Sequence, residues 1–399
     1  NMYGCYVIAR MERIDPKIFS TLFFSIFVTL TGVGIVVPLL PVYAHDLGAS
    51  GIYIALIFGG FSLTRTLFLP WFGRWSDRKG RKPFINIGLF GYFLVAAAFV
   101  MATHVETLIT IRIIQGIASA MIMPVTQAYV GDITPTGKEG LSMGLFNMSV
   151  FLGLSLGPLF GGVIKDFFSL QVAFGCMAGL ALTAFFLTFF CLPPRSEEYI
   201  VVSGYQPRPW RELLVDRMLI SLFVFRLVYA TCIGIIWGFL PVYGDARFSL
   251  SGSAIGVLVM LGVFVSGLLH IPMGWMADRT DKRRLVMIGG LIAAGATMLL
   301  ALAQGFWDLF AANFIFGVGG GISMPALMAL AVIAGNRRQA MGSVMSLITV
   351  AHSLGMLFGS LCGGIIMDTI ELRFAFSVGA VIMLAGVFFF LIGTRTNSG

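Results

Sequence analysis

Twelve long, almost uncharged apolar runs follow one another along this chain. They fall at roughly 18–43, 52–72, 84–103, 107–130, 141–164 and 170–192, and again at roughly 218–243, 252–273, 285–304, 307–333, 341–366 and 373–393. A run of about 20 apolar residues is long enough to cross the hydrocarbon core of a bilayer as one helix. The sequence is 58% hydrophobic and only 11% charged, where soluble domains carry roughly 25% charged residues. These features predict an all-α, polytopic membrane protein. The first run, Ile18 to Val42, is too long for a signal-peptide core and no small-residue cleavage site follows it, so no secretory leader is expected. Met2 or Met11 is the expected natural start.

The charges that remain sit between the runs. GRWSDRKGRKP, Gly73 to Pro83, carries five cationic side chains in eleven residues, and a ragged copy, GWMADRTDKRR, returns at Gly274 to Arg284. If the N-terminus is inside, twenty Lys/Arg fall on the cytoplasmic side and three, Lys165, Arg247 and Arg373, fall outside. By the positive-inside rule, both termini and the central linker are expected in the cytoplasm. The formal net charge of +8 is then a matter of topology, and no nucleic-acid partner is implied. Cys176, Cys191, Cys232 and Cys362 lie in apolar runs without metal spacing. They read as small buried hydrophobes, and neither a metal nor a cofactor is expected. No Walker A loop, H-E-x-x-H or G-x-S-x-G is present, so ATP drive and hydrolase chemistry have no support, and the chain is not expected to be an enzyme.

The two halves repeat. LLPVYAHD at Leu39 returns as FLPVYGD at Phe239, the basic loop returns 201 residues on, and Gly153 to Gly162 returns as GMLFGSLCGG at Gly355 to Gly364. The expected organisation is a cytoplasmic segment (1–17), a six-helix bundle (18–192), a cytoplasmic linker (193–217), a second six-helix bundle (218–393) and a short tail (394–399). A parallel repeat of this kind places a binding site near the midplane, between the halves.

These landmarks resemble the major facilitator superfamily, and in particular its twelve-span drug:proton antiporter branch. Gly73, Asp77, Arg78, Gly80, Arg81 and Lys82 fit the family's loop 2–3 signature at every defined position. Arg112, Gln115 and Gly116 fit its span-4 signature, and Gly34, Pro38 and Pro41 its span-1 pattern. Gly153, Gly157, Pro158, Gly161 and Gly162 fit G-x-x-x-G-P-x-x-G-G in span 5, which the family associates with antiport. The resemblance implies the major facilitator fold, two six-helix bundles related by a pseudo-two-fold axis, in a protein that is mostly monomeric. It implies that the loop signature acts as a latch, with Asp77 facing the start of span 11 near Met341 and an arginine pairing with Asp132. The second copy carries Asp278 and Arg279, but Asp281 stands where the signature has glycine. The span-5 glycines recur at i, i+4 and i+8, on one helical face, where small residues let helix backbones approach closely.

The membrane interior is unusual in its charges. All eighteen Asp and Glu fall in loops or at span ends, while Arg65, Arg112 and Arg226 lie inside spans, with His270 and His352. Intramembrane charge is costly and marks functional candidates. The span-4 arginine, Arg112, is implicated by the resemblance in proton transfer. Arg65 and Arg226 lie about two turns inside the membrane surface, where snorkelling or interhelical pairing competes with substrate contact. His352 is central and titratable near neutral pH; His270 reads as a packing residue. Gln115, Asn147, Trp237 and Asn313 are the other polar candidates, and Glu106 is a rim acid able to exchange protons. Exporters of cationic drugs generally place an acid in the cavity, and this chain has none at depth.

The expected function is therefore secondary transport by alternating access: proton-coupled efflux of a lipophilic or amphiphilic small molecule, anionic or neutral. The alternatives are an importer or uniporter of a small organic anion and, from another class, a non-transporting membrane sensor or scaffold. The compact loops and short tails fit a bacterial inner-membrane protein. Membrane lipid and protons are the expected partners besides the substrate.

Overall fold

The computed structural model describes residues 15–134, 139–193, 215–337 and 341–394. Among them are twelve helices and no strand: α1 Pro16–Asp46, α2 Gly51–Lys79, α3 Arg81–Met101, α4 Val105–Asp132, α5 Glu139–Phe167, α6 Leu170–Cys191, α7 Arg217–Phe248, α8 Gly252–Arg279, α9 Lys282–Leu302, α10 Phe306–Arg337, α11 Met341–Thr369 and α12 Arg373–Thr394. Every one contains a stretch long and apolar enough to cross a membrane. Because the helices alternate in direction, one end of the molecule gathers the first residues of α1 and α7 and the last residue of α12. This is the terminus-bearing end, and the opposite one is the far end.

Sequence repetition reappears as local chemistry. Asp15 caps α1 by accepting from the backbone N–H of Lys17 and Ile18, and Asp216 caps α7 from Met218 and Leu219 in the same way. Each carboxylate satisfies donors that the first helical turn leaves without partners. The α2/α3 turn needs a left-handed residue, and Gly80 supplies it at φ 92°. At the corresponding α8/α9 turn Asp281 has φ −66° and accepts from the N–H of Arg283. The ragged copy thus keeps its turn by side-chain capping instead of by glycine. The α2 and α8 helices continue through their basic stretches to Lys79 and Arg279, beyond the expected span ends at 72 and 273. A bilayer edge ends a hydrophobic run without ending a helix.

Two apolar cores form. One is built from α1 to α6 around residues such as Leu22, Phe58, Phe99 and Phe174, and the other from α7 to α12 around Phe225, Leu300, Phe376 and Phe390. They are joined through α1 with α7, α2 with α11 and α5 with α8. Phe239 and Val242 of α7 are buried in the first core, and Trp237 packs against both.

The span-5 glycines form the seam their spacing predicts. Gly153, Gly157 and Gly161 all face the α1 backbone, and a methyl group at Gly157 would lie 2.6 Å from the Cα of Gly34. The repeat does the same, since Gly355 and Gly359 face the α7 backbone at Leu227 and Thr231. Close backbone approach replaces side-chain interdigitation along both seams, the packing mode that lipid surroundings favour.

Candidate functional site

Arg65 on α2, Arg226 on α7 and His352 on α11 come together from both bundles. His352 lies within electrostatic range of both guanidinium groups, and His270 of α8 lies within range of Arg226. Each side chain is only partly buried, yet Arg65 Nε, Arg226 Nε and His352 Nδ1 are sealed from solvent and have no hydrogen-bond partner. Arg226 places one N–H 2.7 Å from the Met324 thioether, a weak acceptor. Among the described residues no carboxylate pairs with any of the three. A cation in a low-dielectric site without a counter-charge is costly, and this group carries that cost.

Aromatic side chains frame it. Tyr229 stacks on Phe316 at 5.4 Å between centroids and interacts with the Arg226 charge. On the first bundle Tyr92 is hydrogen-bonded to Ser119 and interacts with both Arg65 and Arg112. Phe151 of α5 meets the His270 ring at 4.7 Å across the interface. His270 also has Nδ1 2.6 Å from the Ser266 carbonyl.

Arg112 is different in kind. Only 6% exposed, it donates from Nε to the Ile57 carbonyl at 3.1 Å and from an NH2 group to Gln115 Oε1 at 2.7 Å. Phe58 and Phe61 lie 5.2 and 4.4 Å from its guanidinium carbon, a cation–π enclosure. It ties α2 to α4 inside one bundle, so the structure does not bring it into the group formed by Arg65, Arg226 and His352. Gln115 is fully buried, and its amide nitrogen has no partner.

The other expected residues scatter. Asn313 is buried and donates to the Leu258 carbonyl, tying α10 to α8. Asn147 is exposed on α5, and Glu106 is exposed in the first turn of α4. Trp237 lies between the two cores. In the loop signature Arg81, not Arg78, pairs with Asp132, at 3.0 Å, and also donates to Ser76 at 2.8 Å. The side chain of Asp77 and those near Met341 lie outside the described residues. Arg78 and Asp278 are exposed, and Arg279 stacks 3.7 Å from the Trp275 ring. Gly73 and Gly274 have no neighbour within 4 Å of an added Cβ.

At the far end, two contacts were not anticipated. Asp166, at the end of α5, accepts from the N–H of Gly252 and Ser253 at 2.8 and 2.7 Å and from the Ser253 hydroxyl at 2.5 Å. Asp368, at the end of α11, accepts from the N–H of Gly51 and Ile52 at 2.6 and 2.9 Å. Each carboxylate sits on the N-terminus of a helix in the opposite bundle, where free N–H groups and the helix dipole favour an anion. The available sequence signal was G-G-x-I-x-D, present at Gly161 to Asp166 and again at Gly363 to Asp368, with Ser-Gly opening both target helices at Ser50 and Ser251.

Comparison with known proteins agrees with this architecture. The Major Facilitator Superfamily profile matches residues 22–247 and 226–399. An uncharacterized MFS-type transporter of Methanocaldococcus jannaschii is 28% identical over 377 residues, covering 93% of this chain and 96% of its own. Multidrug resistance protein 2 of Bacillus subtilis is 25% identical over 381 residues, covering 94% of each. A crystal structure of the nucleoside transporter NupG superposes with a TM-score of 0.78 at 12% identity, over 95% of this chain and all of that one.

Proposed function

The chain belongs to the Major Facilitator Superfamily, and on that premise we propose that it is a secondary exporter of amphiphilic small molecules whose polar group is anionic or neutral. The observation that carries the reading is the meeting of Arg65, Arg226 and His352 from two bundles, with unpartnered atoms and, among the described residues, no acid paired with them. A substrate anion satisfies those donors, and the aromatic surroundings take its apolar part. A lipophilic cation finds no counter-charge there. The multidrug resistance relative in Bacillus subtilis supports efflux. In this reading the chain is a monomer of the inner membrane and the terminus-bearing end is cytoplasmic, which the distribution of Lys and Arg supports.

The sign of the site also bears on coupling. For a neutral substrate, a proton on His352 can occupy the site alternately with substrate, which is antiport. For an anion, the substrate crosses with its charge and no proton travels with it. Outward movement of the anion is then driven by an inside-negative potential, about 2.3 kcal/mol per charge per 100 mV. Reconstituted protein in liposomes, loaded with a lipophilic sulfonate dye, tests the anion arm. Anion efflux is expected under an imposed potential, and it should fall about tenfold or more in Arg226→Ala and Arg65→Ala. Robust transport of a lipophilic quaternary amine, unchanged in both variants, contradicts the reading.

A further inference from the structure

We propose that Asp166 and Asp368 are the paired gate residues of the far end: two carboxylate clasps that must release for the bundles to separate there. Resting on the alternating-access reading above, this assigns a role to two side chains that the central site leaves unused.

The case is geometric. The two clasps are related by the internal repeat: Asp166 and Asp368 are 202 positions apart, and the helix starts they hold, Gly51 and Gly252, are 201 apart. One aspartate comes from each bundle and grips the other. Among the described residues, these are the hydrogen bonds that cross between the bundles. The contact surface is made of glycine on both sides. A Cβ at Gly162 would strike the Gly252 carbonyl, and one at Gly364 would strike the Gly51 carbonyl. A Cβ at Gly252 would come 2.8 Å from the Asp166 carboxylate, and one at Gly51 would come 3.0 Å from that of Asp368. Four glycines in two matched pairs thus permit the approach that brings each carboxylate onto its helix end. Lys165 interacts with both Asp166 and Asp46, and Asp46 also with Asp245 and His45. Among the described residues, the donors to Asp166 are the N–H groups of Gly252 and Ser253 and the Ser253 hydroxyl, and those to Asp368 are the N–H groups of Gly51 and Ile52.

Hydrogen bonds to a charged acceptor are the stronger class, and two such sets at one end of the interface bias the protein towards far-end closure. The test needs neither substrate nor gradient, so its outcome is independent of the anion reading. Spin labels at Tyr53→Cys and Ile370→Cys, exposed positions on opposite bundles beside the second clasp, are placed in protein whose native cysteines are replaced, and the distance distribution is measured in lipid nanodiscs. Asp368→Ala and Asp166→Ala are each expected to raise the ratio of separated to closed populations by roughly tenfold. Ser253→Ala, which removes a single hydroxyl and leaves the fold intact, should raise it by roughly threefold. Gly364→Leu should give the separated distribution with both aspartates present. Distributions superimposable on the parent in Ser253→Ala and in the double aspartate variant overturn the assignment.

Discussion

The two ends of the interface between the bundles use related residue types, and the contacts described at each differ in kind. At the far end, aspartates that close α5 and α11 sit on the glycine starts of α8 and α2, and backbone meets backbone. At the terminus-bearing end, the loop signature carries the same residue types, yet its described ion pair, Arg81 with Asp132, stays within one bundle. There Gly73 and Gly274 face open space, and Trp75 and Trp275 are largely exposed. Among the described residues, the cross-bundle hydrogen bonds belong to Asp166 and Asp368 and not to the conspicuous loop motif, whose Asp77 side chain lies outside them. The contacts described at the far end are made by acids that look like ordinary rim residues.

The contrast can be sharpened first by separating closeness within a bundle from closeness across bundles. Gly157→Leu forces a side chain into the α1 backbone, inside one bundle, and is expected to cost about 3 kcal/mol or more. It should show as loss of folded protein in thermal unfolding. Gly364→Leu crowds a backbone of the other bundle, which can move away, so its unfolding temperature should change far less. Equal loss in both would mean that the far end is as rigid a seam as α1 with α5.

The arginines give the next largest effect. Arg112→Ala removes two hydrogen bonds and two cation–π contacts from a closed site, and about 2 kcal/mol of stability should go with it. Arg226→Ala removes a cation whose Nε has no partner, so stability should hold while anion transport falls. A thermal melt read beside a transport assay separates the two cases. Smaller again is Arg81→Ala at the terminus-bearing end: its pair with Asp132 is mostly screened from solvent, at 18% and 17% exposure, and about 1 kcal/mol is expected. Smallest is Arg247→Ala, whose 3.5 Å pair with Glu371 is half exposed; its melt should shift by less than about 0.5 kcal/mol and lose that shift in high salt.

Much of the fold was legible because hydropathy and glycine spacing are local signals. Twelve apolar runs gave twelve helices, and i, i+4, i+8 glycines gave the α1/α5 seam, since neither depends on distant partners. The clasps were not legible in that way. Asp166 and Gly252 are separated by 86 positions and Asp368 and Gly51 by 317, and nothing about a loop acid announces a helix end opposite. Their trace was a repeated hexapeptide, visible only when both halves are compared beyond the seam. Arg112 shows the converse. A span-4 arginine reads as a functional charge, and only the packing of Phe58, Phe61 and Gln115 reveals how completely it is enclosed.

The most direct measurement is equilibrium binding of the lipophilic sulfonate to purified protein, against a quaternary ammonium of matched apolar area. The account predicts that the sulfonate binds at least tenfold more tightly and that Arg65→Ala and Arg226→Ala each remove most of that preference. Equal binding of the two probes, or a preference that survives both substitutions, would contradict it.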